Sequence, residues 1–118
     1  MAAHISTDLA HISEAVRVAK GILSGQIGVL EGCIPLSTVA NRIVPDWWVD
    51  PDFVVFGGVA SEIDALPLGS VREMWSSEAL ERKDVEVARY TQVVRERVMA
   101  ACRSIVDRFG PHVAVDAV

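Results

Sequence analysis

Apolar residues recur along most of this chain at intervals of three and four, the period of a helix that buries one face. Leu9, Ile12, Val16, Ala19 and Leu23 form the first such stripe, with Glu14, Arg17 and Lys20 off it. Thr7 is placed to cap this helix and Asp8 lies favourably at its positive end. Gly25, just past Ser24, supplies the left-handed residue that ends it. A second helix is expected over residues 26–43, with Ile27, Leu30, Ile34, Val39 and Ile43 on its apolar face. Pro35 lacks an amide hydrogen and crowds the preceding turn, so a kink or a break is expected there. Of Gly21, Gly25, Gly28 and Gly32, one is expected at a turn and two at a tight crossing. Glycine inside a helix costs about 1 kcal/mol relative to alanine, which disfavours a continuous glycine strip.

The segment VPDWWVDP breaks the helical period with two prolines and two aspartates. Asp50 followed by Pro51 then reads as a helix start, a capping carboxylate and a proline at the first helical position. A third helix is expected from Pro51 to about Leu66, burying Phe53, Phe56, Val59, Ala60 and Ile63. A strand over FVVFGGVA is the rival reading. The helix is preferred because no alternating partner segment exists elsewhere in the chain. Pro67 and Gly69 end that element, and Ser70 with Glu73 has the spacing of a capping box for a short turn. Ser76 or Ser77 opens the longest helix, whose stripe is Val87, Thr91, Val94, Val98, Cys102, Ile105 and Phe109, stopped by Gly110 and Pro111. The pattern predicts an all-α, single-domain bundle of four or five helices over residues 1–118, with a long C-terminal helix. The ends, 1–6 and 111–118, are expected to be loosely ordered.

A chain of 118 residues, 51% hydrophobic and 23% charged, has the balance of one folded domain. Its net charge of -5 argues against nucleic acid and against anionic membranes, and leaves a basic protein as a partner. The apolar run 21–40 is interrupted by Gln26, Glu31 and Pro35, which disfavours a membrane span. The start, MAAHISTDLAHISEA, has no secretion-signal pattern. Cys33 and Cys102 have no disulfide-framework spacing and read as buried thiols, so a cytoplasmic location is expected.

Catalytic chemistry is hard to find. His4, His11 and His112 lie near the ends and do not supply a zinc ligand set. Neither a nucleophile elbow nor a phosphate loop is present, and Asp46, Asp50 and Asp52 lack the glycine and glutamate of a calcium loop. No catalytic residue, metal or cofactor is expected. Four residues carry the alternative. Glu31 has uncharged neighbours and needs a partner, for which Arg72 is the candidate. Glu62 and Asp64, two apart, point about 200° apart on a helix and form no dyad, and Asp64 is free to cap the next turn. Glu31, Glu62, Asp64 and Arg72 are thus either structural ion-pairing groups or the ligands of a small-molecule, metal or enzymatic site. The Glu-x-x-His pairs of carboxylate metal bundles are missing.

Charge is segregated along the chain. Asp46, Asp50, Asp52, Glu62 and Asp64 fall between Ile43 and Val71 with no base, whereas the last helix carries Arg89, Arg95, Arg97, Arg103 and Arg108. Pairing between these two segments is expected, with surplus acid facing outward. Of the adjacent Trp47 and Trp48, one is expected on the core and one at the rim. Asp46, Trp47, Trp48, Asp50 and Asp52 are the expected partner surface. A homodimer that completes its core across a twofold axis is a further possibility.

GQIGVLEGC, DPDFVVFGGVASEIDALPLG, VREMW and EALERKD together resemble a group of small bacterial proteins of unknown function, over Gly21 to about Arg108. The shared pattern is Glu-Gly-Cys followed by Ser-Glu-x-Asp-x-Leu-Pro-x-Gly and a tryptophan. The resemblance implies no activity. Small acidic bacterial proteins of this size include immunity partners of toxins, so a non-enzymatic protein-binding role of that kind is the expectation, by analogy of class.

Overall fold

A computed structural model describes residues 9–113 apart from Ala65 and Pro67. Its helices are α1 (Leu9–Ser24), α2 (Cys33–Ile43), α3 (Val54–Glu62) and α4 (Ser77–Val113), with 3-10 turns at Trp47–Val49 and Gly69–Met74. This is an all-α bundle with a long C-terminal helix. The expected caps at Thr7 and Asp8, the stop at Pro67 and the ends 1–6 and 114–118 lie outside the described residues.

α1 packs against both α4 and α2, α2 against α3, and α3 closes back onto α4. Because α1 touches two neighbours, its buried face is wider than the expected stripe: Ala15, Val18 and Ile22 join Ile12, Val16 and Ala19. Leu9 is half exposed. Gly25 ends α1 at φ 86°, a left-handed conformation, as its position suggested.

The break near Pro35 comes earlier than expected. Residues 29–32 are turns, and α2 begins at Cys33. Pro35 then falls in the first helical turn, where amide hydrogens have no intrahelical acceptor and its lack of one costs nothing. The later start shifts the buried face to Cys33, Leu36, Val39, Ala40 and Ile43, and leaves Ile34 46% exposed.

The segment from Val54 is helical rather than a strand. The chain turns into α3 at Asp50, whose carbonyl accepts from Val54 at 2.9 Å. The Asp50 carboxylate accepts from the Asp52 amide, also at 2.9 Å, within the turn 51–53. α3 starts only at Val54, with Phe53 at its N-cap and no side-chain cap, and ends at Glu62, so the expected start at Pro51 and end near Leu66 are both corrected. Ser70 does not cap this turn: Gly69–Met74 has Leu68 at its N-cap, with no side-chain cap among the described residues. The Ser76 hydroxyl accepts from the Ala79 amide at 3.2 Å and starts α4. α4 does not stop at Gly110 and Pro111 but runs to Val113. So near its end, Pro111 forfeits a single hydrogen bond, to the carbonyl of Asp107.

The core is apolar throughout, and no polar or charged residue among those described is fully buried. Phe53, Phe56 and Phe109 are each 0% exposed and pack edge to face or tilted, with centroids 6.3 and 5.9 Å from Phe53. Cys33 and Cys102 are fully buried free thiols. The Cys33 sulfur lies 3.2 Å from the Val29 carbonyl. Among the described residues, no helix is long and apolar enough to cross a membrane.

Candidate functional site

α3 is apolar nearly all round, and one bundle face uses only part of it. Phe53, Phe56, Val59 and Ile63 go into the core. Gly57 takes the ring of Trp47: a Cβ there would sit 2.5 Å from Cζ3 and 2.7 Å from Cη2. Val54, Val55 and Gly58 remain, and face α4 across an open groove of about 730 Å³. Tyr90, Val94, Arg97, Ala101 and Ser104 form the opposite wall, a single stripe of α4 at steps of four and three. At 1.5 Å per residue this wall is about 21 Å long. A second hollow of about 250 Å³, lined by Glu62, Leu66, Glu86, Arg89, Tyr90 and Val93, shares Glu62 and Tyr90 with the first and extends it.

The two ends of the groove differ. At Pro51 and Asp52 it is closed by a latch across 58 residues of sequence. Arg108 Nη1 donates to Asp50 at 3.0 Å and to Asp52 at 2.9 Å. The guanidinium lies 4.8 Å from the Phe109 ring centroid. The Asp50 side chain is only 11% exposed and that of Asp52 23%. Partly buried, charge-assisted bonds of this kind contribute about 1–3 kcal/mol. The other end runs on toward Leu66 and Val93.

Arg97 and Glu62 make no salt bridge or hydrogen bond among the described residues. Burial, with the negative fields of Glu62 and Cys33, raises the Tyr90 phenol above its ordinary value, against the opposing pull of Arg97. Tyr90 is therefore a neutral donor at any physiological pH. An apolar floor with Arg97, Glu62, the latched Asp52 and two hydroxyls, from Tyr90 and Ser104, can bind and orient an amphipathic molecule. It holds no nucleophile beside a base.

Several expected site residues lie elsewhere. Asp50 and Asp52 do not face outward for a partner; Arg108 holds both, as the segregation of charge foretold in general terms. Charge reversal there would disturb the fold before any interface. Trp47 packs on Gly57 while Trp48 is 60% exposed, the division expected of the pair. Asp46 is exposed. Arg72 does not reach Glu31. It pairs with Asp84 at 2.7 Å on the surface and holds that carboxyl below its ordinary value. Glu31 is exposed and lies over Gly28, where a Cβ would collide with its carboxylate. Asp64 is exposed and does not cap the turn Gly69–Met74, whose N-cap is Leu68. Of the four residues of the alternative site, only Glu62 lines the groove, and no group of three or more His, Cys, Asp or Glu among the described residues could hold a metal ion. His11 is half-buried on α1, and His112 packs 6.3 Å from Phe109.

The adjacent glycines of α3 separate packing from binding. Gly57→Ala is expected to destabilise the protein by about 1–2 kcal/mol, because the Trp47 ring must move. A Cβ at Gly58 meets nothing within 4 Å, so Gly58→Ala is expected to be neutral or to stabilise by up to about 1 kcal/mol. Urea midpoints of the two variants check this, and equal losses would contradict the placement of Gly58 on an open wall.

No family model, no curated protein and no solved structure matches the chain, so the groove is interpreted from its own chemistry.

Proposed function

We propose that this protein is a non-enzymatic, cytoplasmic binding module that takes an amphipathic helix of a polypeptide into the groove between α3 and α4. The groove itself carries this reading: an apolar channel open along one side, with uncompensated Arg97 and Glu62 on opposite walls. Helices dock into such grooves through anchors spaced i, i+3, i+4 and i+7, which is the spacing of the lining on both walls. A small molecule fits the volume, but small-molecule sites bury most of their ligand, and this cleft is open and about 21 Å long. Val54 in the groove and Val93 in its extension, 45% and 62% exposed, keep an apolar rim open to solvent. Neutralising a toxin by capturing one of its helices is the most specific use the sequence suggests for such a module. The captured helix would supply an apolar face, an acid for Arg97 and a base for Glu62, rather than basic charge alone.

Photo-crosslinking tests the reading. A photoreactive phenylalanine analogue replaces Val54 at the groove rim, and in a control chain it replaces the exposed Arg42 of α2. Irradiation in the cells that make the protein is expected to join the Val54 position to a helical peptide segment, and Gly58→Leu, which fills the groove, is expected to abolish the adduct. Adducts with lipids or metabolites only, or the same adducts from both positions, would overturn it.

A further inference from the structure

Arg97 stands at the middle of the groove wall, and its own helix offers it no acid. Tyr90, Arg97 and Ser104 all line the cleft. They fall within about 20° of one line along α4, about 10.5 Å from one to the next. A helical arginine finds its partners three and four residues away. For Arg97 those positions are Val93, Val94, Ala100 and Ala101. Across the cleft α3 runs antiparallel to α4: Asp52 meets Arg108 at one end, and the field of Glu62 reaches Tyr90 at the other. Gly58 lies between these ends on α3 as Arg97 does on α4, with Val55 and Val59 beside it in the lining. A Cβ at Gly58 meets nothing within 4 Å, so this part of the wall leaves room for a side chain from outside.

The other charges along the cleft are already answered. Asp52 is held by Arg108, and Glu86 in the extension by Lys83. Arg89 lines the extension together with Glu62, so their fields partly cancel, and the call for a base at Glu62 is weaker than the call for an acid at Arg97. Arg95 and Arg103 lie about 160° and 120° around α4 from Arg97 and point away from the cleft. A guanidinium covered by a purely apolar face loses its water and gains no partner. A lysine laid on it adds repulsion. A carboxylate accepts two parallel hydrogen bonds from the guanidinium fork.

We infer that the captured helix carries a glutamate or aspartate inside its apolar face, seated over Gly58 on Arg97, with apolar residues three and four positions to either side. The inference rests on the helix-binding reading of the groove and names the chemistry of its occupant, with Arg97 as the residue that sets specificity. The net charge of -5 draws a basic partner at long range, and the outward face of the same helix is free to carry that charge. Base outside and acid at the seam is then the signature of the occupant.

Fluorescence anisotropy with designed peptides reads this preference. The probe is an amphipathic peptide of about 18 residues, longer than the wall at about 1.5 Å per residue. It has leucine and alanine on one face, lysine and glutamine on the other, and either Glu or Lys at the centre of the apolar face. The Glu probe is expected to bind the full chain at least about tenfold more tightly than the Lys probe. Arg97→Glu is expected to reverse that order and Arg97→Lys to keep it, and circular dichroism checks that both variants keep their helix. Equal binding of the two probes, or an order that Arg97→Glu leaves unchanged, would overturn the inference. If neither probe binds, the polypeptide joined to the Val54 position in cells decides. A captured segment with Asp or Glu in its apolar face supports the inference. A segment without one overturns it and leaves the groove reading standing, and the capture of no polypeptide overturns both.

Discussion

Replacing Phe53 by alanine is expected to cost about 3–5 kcal/mol, the usual range for removing a buried phenylalanine. The ring is fully enclosed, in contact with both Phe56 and Phe109, and its neighbours belong to elements that cannot collapse into the space. Phe109 is held on α4 beside Arg108, and Arg108 is held by Asp50 and Asp52. The loss is large against a total stability of about 5–15 kcal/mol. It also frees the start of α3, which the aromatic cluster and the latch fasten to α4. Urea unfolding should therefore show a much lower midpoint with little change in slope. A loss below about 1 kcal/mol would mean that the three rings do not form the anchor of α3.

Alkaline pH is expected to weaken the fold through its two thiols. Burial first, and then the nearby Cys102, pushes the Cys33 thiol up to about 12, and burial pushes Cys102 up to about 12 against the pull of Arg103. The ordinary value is 9.0. Between these values the unfolded chain has released protons that the folded protein still holds. The thiols' contribution to stability is therefore fully present below pH 9 and is lost as pH rises toward 12. The slope is about 1.4 kcal/mol per pH unit for each thiol once the unfolded form has ionised. By pH 10 the two together are expected to remove about 2–3 kcal/mol relative to pH 8. Tyr90, raised by its burial, acts in the same direction at higher pH. The Cys33→Ala, Cys102→Ala double variant should be less stable at pH 8 but should lose much less between pH 8 and pH 10. Equal pH slopes in the two proteins would contradict the burial of the thiols.

Much of this architecture could be read along the chain, because local chemistry decides local structure. Gly25 and Ser76 mark helix ends through backbone conformation or a capping oxygen, and each acts where its residue type indicated. The long stripe from Val94 to Phe109 is the buried seam of α4. Boundaries set by competition were less legible. Pro35 reads as a break, but only packing decides that the chain turns before it and that Ile34 then faces water. Pro111 reads as a stop, yet one lost hydrogen bond at a helix end does not outweigh the continuing turn.

The candidate site was least legible, since it depends on which helices fail to meet. Five acids facing a helix of arginines implied pairing, but nothing local selects Arg108 over its neighbours for Asp50 and Asp52, or Asp84 over Glu31 for Arg72. Glu31 lies among uncharged residues in sequence and is exposed in space, because the turn at 29–32 lifts it out. Two signals did point at the groove. VVFGGVA carries more apolar residues than one helix face can bury. Tyr90, Arg97 and Ser104, seven apart, draw a polar line beside Val94 and Ala101 that no core-facing helix needs. Both become meaningful once Gly57 is seen to serve Trp47 and Gly58 to serve nothing within the protomer.

The occupancy of the groove can be measured directly with a thiol placed at its floor. Gly58→Cys introduces a reactive group where a Cβ has open space, while Cys33 and Cys102 stay buried and inert, so no other cysteine need be removed. Its labelling rate is compared with that of Arg42→Cys on the outer face of α2, in intact cells and after dilution of the purified protein to nanomolar concentration. A groove filled by a helix should protect the Gly58→Cys thiol at least about tenfold in cells, with the protection lost on dilution, since each factor of ten reports about 1.4 kcal/mol of binding. Equal labelling of the two positions in cells and after dilution would contradict the groove as a polypeptide-binding seam.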